Sequence, residues 1–288
     1  MQFTKEAINL SFGKTTEERL QYISNEFFGT SMLTDAKNFL MAAMPDITNL
    51  FGNVRSYMSN LLSSSSEELK DFTKEQQTIL RKLKDQTFLE LSEVLVPIPE
   101  NFRGKYIEYL CTLESIVKDC FNVCLTNISD FRNHLSLFLS TSDYKKSVRD
   151  LSTKYKDLEK YRTNHLKTLG RYFPKDTSSS RTMLKNVVDR IKDFEEIYAI
   201  CNRLSNIVAG VNVTKIKESV DDCYETLTVI TNNLSHDNTA ISKEAAKSLS
   251  VATYEMAKFV EFVAVLYFDT TTAIKSAVNM GSILTLDQ

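Results

Sequence analysis

Cys120 and Cys124 stand one helical turn apart, the spacing at which two thiolates on one helix face can share a metal ion. A zinc tetrahedron needs a second Cys or His pair, and none lies nearby in the sequence. The remaining cysteines, Cys111, Cys201 and Cys223, bring the count to an odd five. Cys124, Cys201 and Cys223 also fall on an apolar repeat described below, so these thiols are expected to be buried apolar groups rather than ligands. The three histidines suit metal chemistry no better. A di-iron bundle uses Glu-x-x-His pairs, but Phe131, Arg162 and Asn233 precede His134, His165 and His236 by three residues.

Acid–base and nucleophilic chemistry are as poorly supplied. The carboxylate pairs Glu67-Glu68, Glu195-Glu196 and Asp221-Asp222 are adjacent in sequence, and neighbours on a helix diverge by about 100°, so they do not face each other. There is no Gly-x-Ser-x-Gly elbow, no Walker A loop and no Gly-x-Gly-x-x-Gly turn. The expectation is a protein with no catalytic, cofactor-binding or metal-binding residues: not an enzyme.

Charge is the one chemical feature that stands out. Between Asp143 and Lys175 ten basic residues face four acidic ones, a net of +6, with Tyr144, Tyr155, Tyr161 and Tyr172 interleaved. Lys145, Lys146, Arg149, Lys154, Lys156, Lys160, Lys167 and Arg171 form the candidate face for an anion or partner, since such a stripe attracts nucleic-acid phosphates or anionic lipid. The competing reading is a solvated helix face, partly neutralised by the acidic C-terminal part, which carries a net of −4 from Asn212 onward. Tyr144, Tyr155 and Tyr172 fall on the apolar repeat and are expected in the core.

The elements that would position these groups follow from composition and periodicity. Seven glycines and four prolines occur in 288 residues, where average usage would give roughly 20 and 14. Tight turns and glycine-rich phosphate cradles are therefore scarce, and long uninterrupted helices are favoured. Apolar side chains recur at alternating steps of three and four in five successive segments. The clearest is Ile107, Leu110, Glu114, Val117, Phe121, Cys124, Ile128, Phe131, Leu135 and Phe138, with Glu114 its one charged member. Similar runs start at Tyr144, Leu184, Val213 and Ala245. A period of 3.5 residues keeps a seam facing its partner when helices supercoil left-handedly. Arg162 and His165 lie in the seam of the second segment and read as a polar layer that fixes register.

The fold class expected is all-α: an elongated antiparallel bundle of long helices with coiled-coil-like packing, preceded by a smaller region of short helices. The serine run Ser63–Ser66 divides residues 1–62, the short-helix region, from 67–288, the long-helix bundle. Within the bundle, a helix opened by the capping box of Ser65 and Glu68 is expected to run to Val96, where Pro97-Ile98-Pro99 stops it. Breaks are expected at 140–143, 174–180, 209–212 and 235–238, short enough to favour antiparallel neighbours.

The last helix is apolar on nearly every side around Lys258–Phe268 and must be surrounded, by its own bundle or by another chain. Phe259, Phe262, Val263, Leu266, Tyr267 and Phe268 form the candidate apolar contact segment. The run contains Glu261 and stops at Asp269, too short to span a bilayer.

The N-terminus lacks the basic and apolar stretches of a signal peptide. With unpaired cysteines, this gives the expectation of a reducing, cytoplasmic compartment or a particle assembled there, and not of secretion through a signal peptide. The functional expectation is a non-enzymatic structural or interaction protein, a rigid helical subunit or scaffold of a larger assembly such as a virus or phage particle. Its partners would be other protein subunits in an oligomer or multi-protein assembly. Two rivals use the same residues: a membrane-active or membrane-binding bundle, pore-forming or curvature-sensing, and a nucleic-acid-binding protein using helix 143–175.

Overall fold

The computed structural model describes residues 48–49, 51–56, 58–59, 69, 74–79, 81–82, 95–99, 106–140, 144–172, 182–186, 191–236 and 243–284. The fold is all-α, and among the described residues five long helices carry it: α1 (Glu108–Ser140), α2 (Tyr144–Gly170), α3 (Ile191–Val208), α4 (Val211–His236) and α5 (Lys243–Leu284). Shorter helical stretches at 51–56 and 74–79 precede them. The expected short helices before residue 48, and the shape expected of the whole, fall outside what is described.

The seam of α1 matches burial closely. Of its ten members every one is buried except Glu114, and Leu113 beside it is fully buried. In α4 the same holds for Val213, Ile216, Val220, Cys223, Leu227 and Ile230. Such a stripe is what an amphipathic helix hides against its neighbours.

Serine and threonine are poor helix formers because their hydroxyls compete for backbone groups. Here the competition is resolved inside the helices. Thr126, Ser136, Thr226, Thr228 and Thr231 each donate to the carbonyl four residues earlier. Thr253 and Thr270 do so in the core of α5, at 2.8 and 2.7 Å. A buried hydroxyl paired in this way carries no desolvation penalty for an unmade bond.

The chain divides into two compact units, each discontinuous in sequence: Met1–Asn60 with Phe121–Asn164 and Val211–Val265, and Leu61–Cys120 with His165–Gly210 and Leu266–Gln288. In the first unit the segment 51–56 runs antiparallel to α4. Thr48 meets Thr231 at 3.4 Å and Arg55 binds Asp221 at 2.7 Å. Between them Gly52 lies against Tyr224, where a Cβ would sit 3.0 Å from the ring. Phe51 stacks on Phe131, which also meets Tyr155 of α2 edge to face. In the second unit α1 meets Tyr172, just past the end of α2, and α3 through Arg203, while Tyr106, two residues before α1, reaches the C-terminal part of α5.

α5 is the most buried element. From Leu249 to Thr271 only Tyr254, Glu261 and Phe268 are partly exposed, and the spacing of seven continues to Lys275. Between Leu249 and Thr271 one narrow line along the helix therefore reaches water.

Two expectations need correction. Leu95 and Val96 do not end a helix: Leu95–Pro99 is a strand, β1, paired antiparallel with β2 (Thr182–Asn186). Leu184 accordingly lies in β2, and the helix expected to include it begins at Ile191. Helical periodicity counts apolar spacing alone, whereas pairing with a segment far along the chain decided the conformation here. Proline is barred from helix interiors but tolerated where its missing donor would point away from the pairing partner.

Candidate functional site

Of the candidate basic face, Lys160, Lys167 and Arg171 are exposed, the first two on α2 and the third in the turn that follows it. Lys145, Lys146, Arg149, Lys154 and Lys156 also lie on α2, with side chains outside the described part. Arg162 and His165 are half-buried. His165 faces Asp119 of α1 at 3.8 Å, and its burial lowers its pKa despite that carboxylate. The tyrosines point elsewhere. Tyr155 is fully buried, Tyr161 sets its edge on Phe259 at 5.7 Å, and Tyr172 packs on Tyr109 at 5.9 Å. Tyr155, Tyr161 and Tyr172 thus contact other aromatic rings rather than forming a stacking platform on the basic face.

The candidate apolar segment is inside the molecule. Phe259, Phe262, Val263, Leu266 and Tyr267 are buried, and Phe268 lies on the partly exposed line of α5. Among the described residues no helix is long and apolar enough to cross a membrane.

The cysteines are free thiols. Cys120, Cys124, Cys201 and Cys223 are buried and Cys111 is exposed. Burial pushes the thiols of Cys201 and Cys223 up to about 12, so both are protonated at neutral pH and weakly nucleophilic. Among the described residues no three of His, Cys, Asp and Glu gather at metal-binding distance.

The polar chemistry that does come together in the first unit is a clasp around Asp221. Arg55 Nε and Lys217 Nζ donate to its two oxygens at 2.7 and 2.9 Å, and the Arg55 guanidinium lies 5.2 Å over the Tyr224 ring. Burial raises the pKa of this carboxyl, but the two hydrogen bonds outweigh it and hold the group below its usual range. Nearby, Arg132 reaches Asp222 at 3.1 Å.

In the second unit a less obvious group forms where α1, α3 and α5 meet. Tyr106 donates to the Ala273 carbonyl at 3.5 Å, and Tyr109 lies within electrostatic reach of Asp269, one turn earlier on α5. Asp269 is 7% exposed, and its burial alone raises its pKa to about 7. On α3, Tyr198 Oη, Asn202 Oδ1 and Ser205 Oγ are buried without hydrogen-bond partners, at steps of four and three. Sequence reasoning took Asp269 as the end of an apolar run. Its position three residues after Leu266 and one before Thr270, both seam residues, was the signal that it faces inward.

Comparison of the chain with family models, curated proteins and solved structures finds no match.

Proposed function

We propose that this protein is a non-enzymatic interaction subunit, a stiff helical framework that holds exposed faces in fixed register for other proteins. The observation that carries this reading is how its charged side chains are used. Arg55 with Asp221, and Arg203 with Glu114, bridge separate helices within each unit rather than converging on a reaction centre. The buried thiols of Cys201 and Cys223 are held protonated, which removes two candidate nucleophiles from chemistry at neutral pH. Free cysteines support residence in a reducing compartment, or in a particle assembled there.

Affinity purification of the full chain from its native source, with the co-purifying proteins quantified, tests this. A defined stoichiometric assembly is expected. A lone monomer that turns over a small molecule would overturn it.

A second reading is favoured by the exposure of Lys160, Lys167 and Arg171: an anionic surface, nucleic acid or lipid, bound along α2. That reading requires affinity that falls steeply with added salt, and salt-independent binding or none removes it.

A further inference from the structure

Among described residues that are otherwise almost all helical, the two-stranded ribbon stands out, and its hydrogen-bond phase is set by its own prolines. The register pairs Leu95 with Asn186, Val96 with Lys185, Pro97 with Leu184, Ile98 with Met183, and Pro99 with Thr182. In an antiparallel ladder, alternate pairs exchange backbone hydrogen bonds while those between them point their N–H and C=O groups outward. Pro97 and Pro99 have no N–H, so the bonded pairs must be Val96 with Lys185 and Ile98 with Met183.

The two outer edges then differ. On β1 the outward residues are Leu95, Pro97 and Pro99, leaving a single donor; this edge is closed to another strand. On β2 they are Thr182, Leu184 and Asn186, and each offers both an N–H and a C=O. Among the described residues no third strand pairs with this edge. An isolated two-stranded ribbon is marginal in water, and either packing against a helix or a further strand stabilises one.

We infer that the outer edge of β2 pairs antiparallel with the same edge of a second copy of this chain, forming a four-stranded sheet with a proline-bearing β1 at each side. The pattern of donors and acceptors favours a second copy because it is complementary to itself. Turned about a two-fold axis at Leu184, Leu184 exchanges both bonds with its symmetry mate, and Thr182 does so with Asn186 of the other copy. The contact is isologous, and it cannot grow, because the edges left outermost are those the prolines close. The assembly is therefore a discrete dimer rather than a fibre. The inference extends the proposed interaction role by naming one surface and one partner.

Sedimentation of the purified full chain over a range of concentrations is expected to show a monomer–dimer equilibrium. Leu184→Pro removes the central outward donor while leaving the ribbon's own bonds intact, and should abolish the dimer without loss of helical circular dichroism. Leu95→Pro, on the closed edge, should leave it unchanged. Should Leu184→Pro fail to fold, a cross-link serves in its place. In a Cys111→Ser background, Leu184→Cys puts two thiols opposite each other with Cα atoms about 5.5 Å apart, inside the window of about 4.4–6.8 Å that a disulfide accepts. A disulfide-linked dimer is expected from Leu184→Cys and not from Met183→Cys.

A monomer at every concentration overturns the inference, as does a dimer that cross-links no better at Leu184 than at Met183. Preferential capture of an extended peptide on β2, with the chain itself monomeric, would assign the edge to a different occupant and also overturn it. Co-purification with other subunits is a separate measurement, so failure here leaves the broader proposal standing.

Discussion

Arg203 grips Glu114 with two parallel hydrogen bonds, Nε to Oε1 at 2.7 Å and Nη2 to Oε2 at 2.9 Å, and so ties α3 to α1. Glu114 is the single charged member of the α1 seam, and this fork explains why a carboxylate is tolerated there. The Arg203 side chain is about half exposed, at 53%, which limits the value of the pair. Arg203→Ala should lower stability by about 1 kcal/mol at low salt and by less at high salt. Urea unfolding at two ionic strengths measures both.

Asp269 should make stability depend on pH. Its carboxyl titrates near 7 in the folded chain and near 4 when unfolded, so between those values the folded state holds the extra proton. Stability is therefore fully present below about pH 4, falls as pH rises to about 7, and levels off above that. The full loss is on the order of 4 kcal/mol, and less if the site relaxes to admit water. Asp269→Asn should flatten this slope, leaving the variant close to the parent at pH 4 and more stable at pH 8. Urea midpoints across the range test it, and equal slopes for the two proteins would refute the assignment.

Gly52 and Tyr224 should be energetically coupled. Alanine is better than glycine in a helix by about 1 kcal/mol, but here the added methyl meets the ring at 3.0 Å. Gly52→Ala is expected to be neutral or destabilising in the parent and stabilising once Tyr224→Ala has cleared the space. A double-mutant cycle gives the coupling directly, and additivity of the two changes would show that the contact carries nothing.

Tyr198→Phe should cost nothing, or stabilise by up to about 1 kcal/mol, because the buried hydroxyl it removes makes no hydrogen bond. A substantial fall in melting temperature would mean that the hydroxyl has a partner in solution. Phe259→Ala is the contrasting case: it removes a ring that is 1% exposed and should cost about 3–5 kcal/mol.

Thiol reactivity should divide the cysteines. In the native protein Cys111 alone is exposed, so a soluble disulfide reagent should modify one thiol rapidly and the other four only on unfolding. Burial and the nearby Glu114 raise the Cys111 pKa, so its rate should keep climbing above pH 9. Rapid reaction of all five would contradict the packing.

Local spacing made much of this architecture legible. The α1 seam could be written down residue by residue because helical burial repeats within the chain's own next turn, and Phe121, Cys124, Ile128 and Phe131 are all buried as their steps require. The end of α1 at Ser140 and the start of α2 at Tyr144 flank the break expected at 140–143, whereas α4 continues through His236, into the stretch 235–238 expected to be a break. What spacing cannot carry is a relationship between distant segments. Val96 joins a strand because Lys185 lies opposite it, and nothing within several residues of Val96 records that. Asp269 takes its chemistry from burial among other helices and Gly52 its use from one ring on α4; both are tertiary facts with a one-residue imprint. The basic stretch of α2 was visible as charge, but which of its side chains face water depends on packing.

α5 contributes to both compact units, with residues 243–265 in one and 266–284 in the other. During synthesis, then, neither unit can complete its interior until the ribosome has passed residue 243, and the earlier helices must wait with their greasy faces uncovered. A chain cut short before α5 is therefore expected to leave apolar faces of both units in water, a state prone to aggregation rather than a smaller working domain.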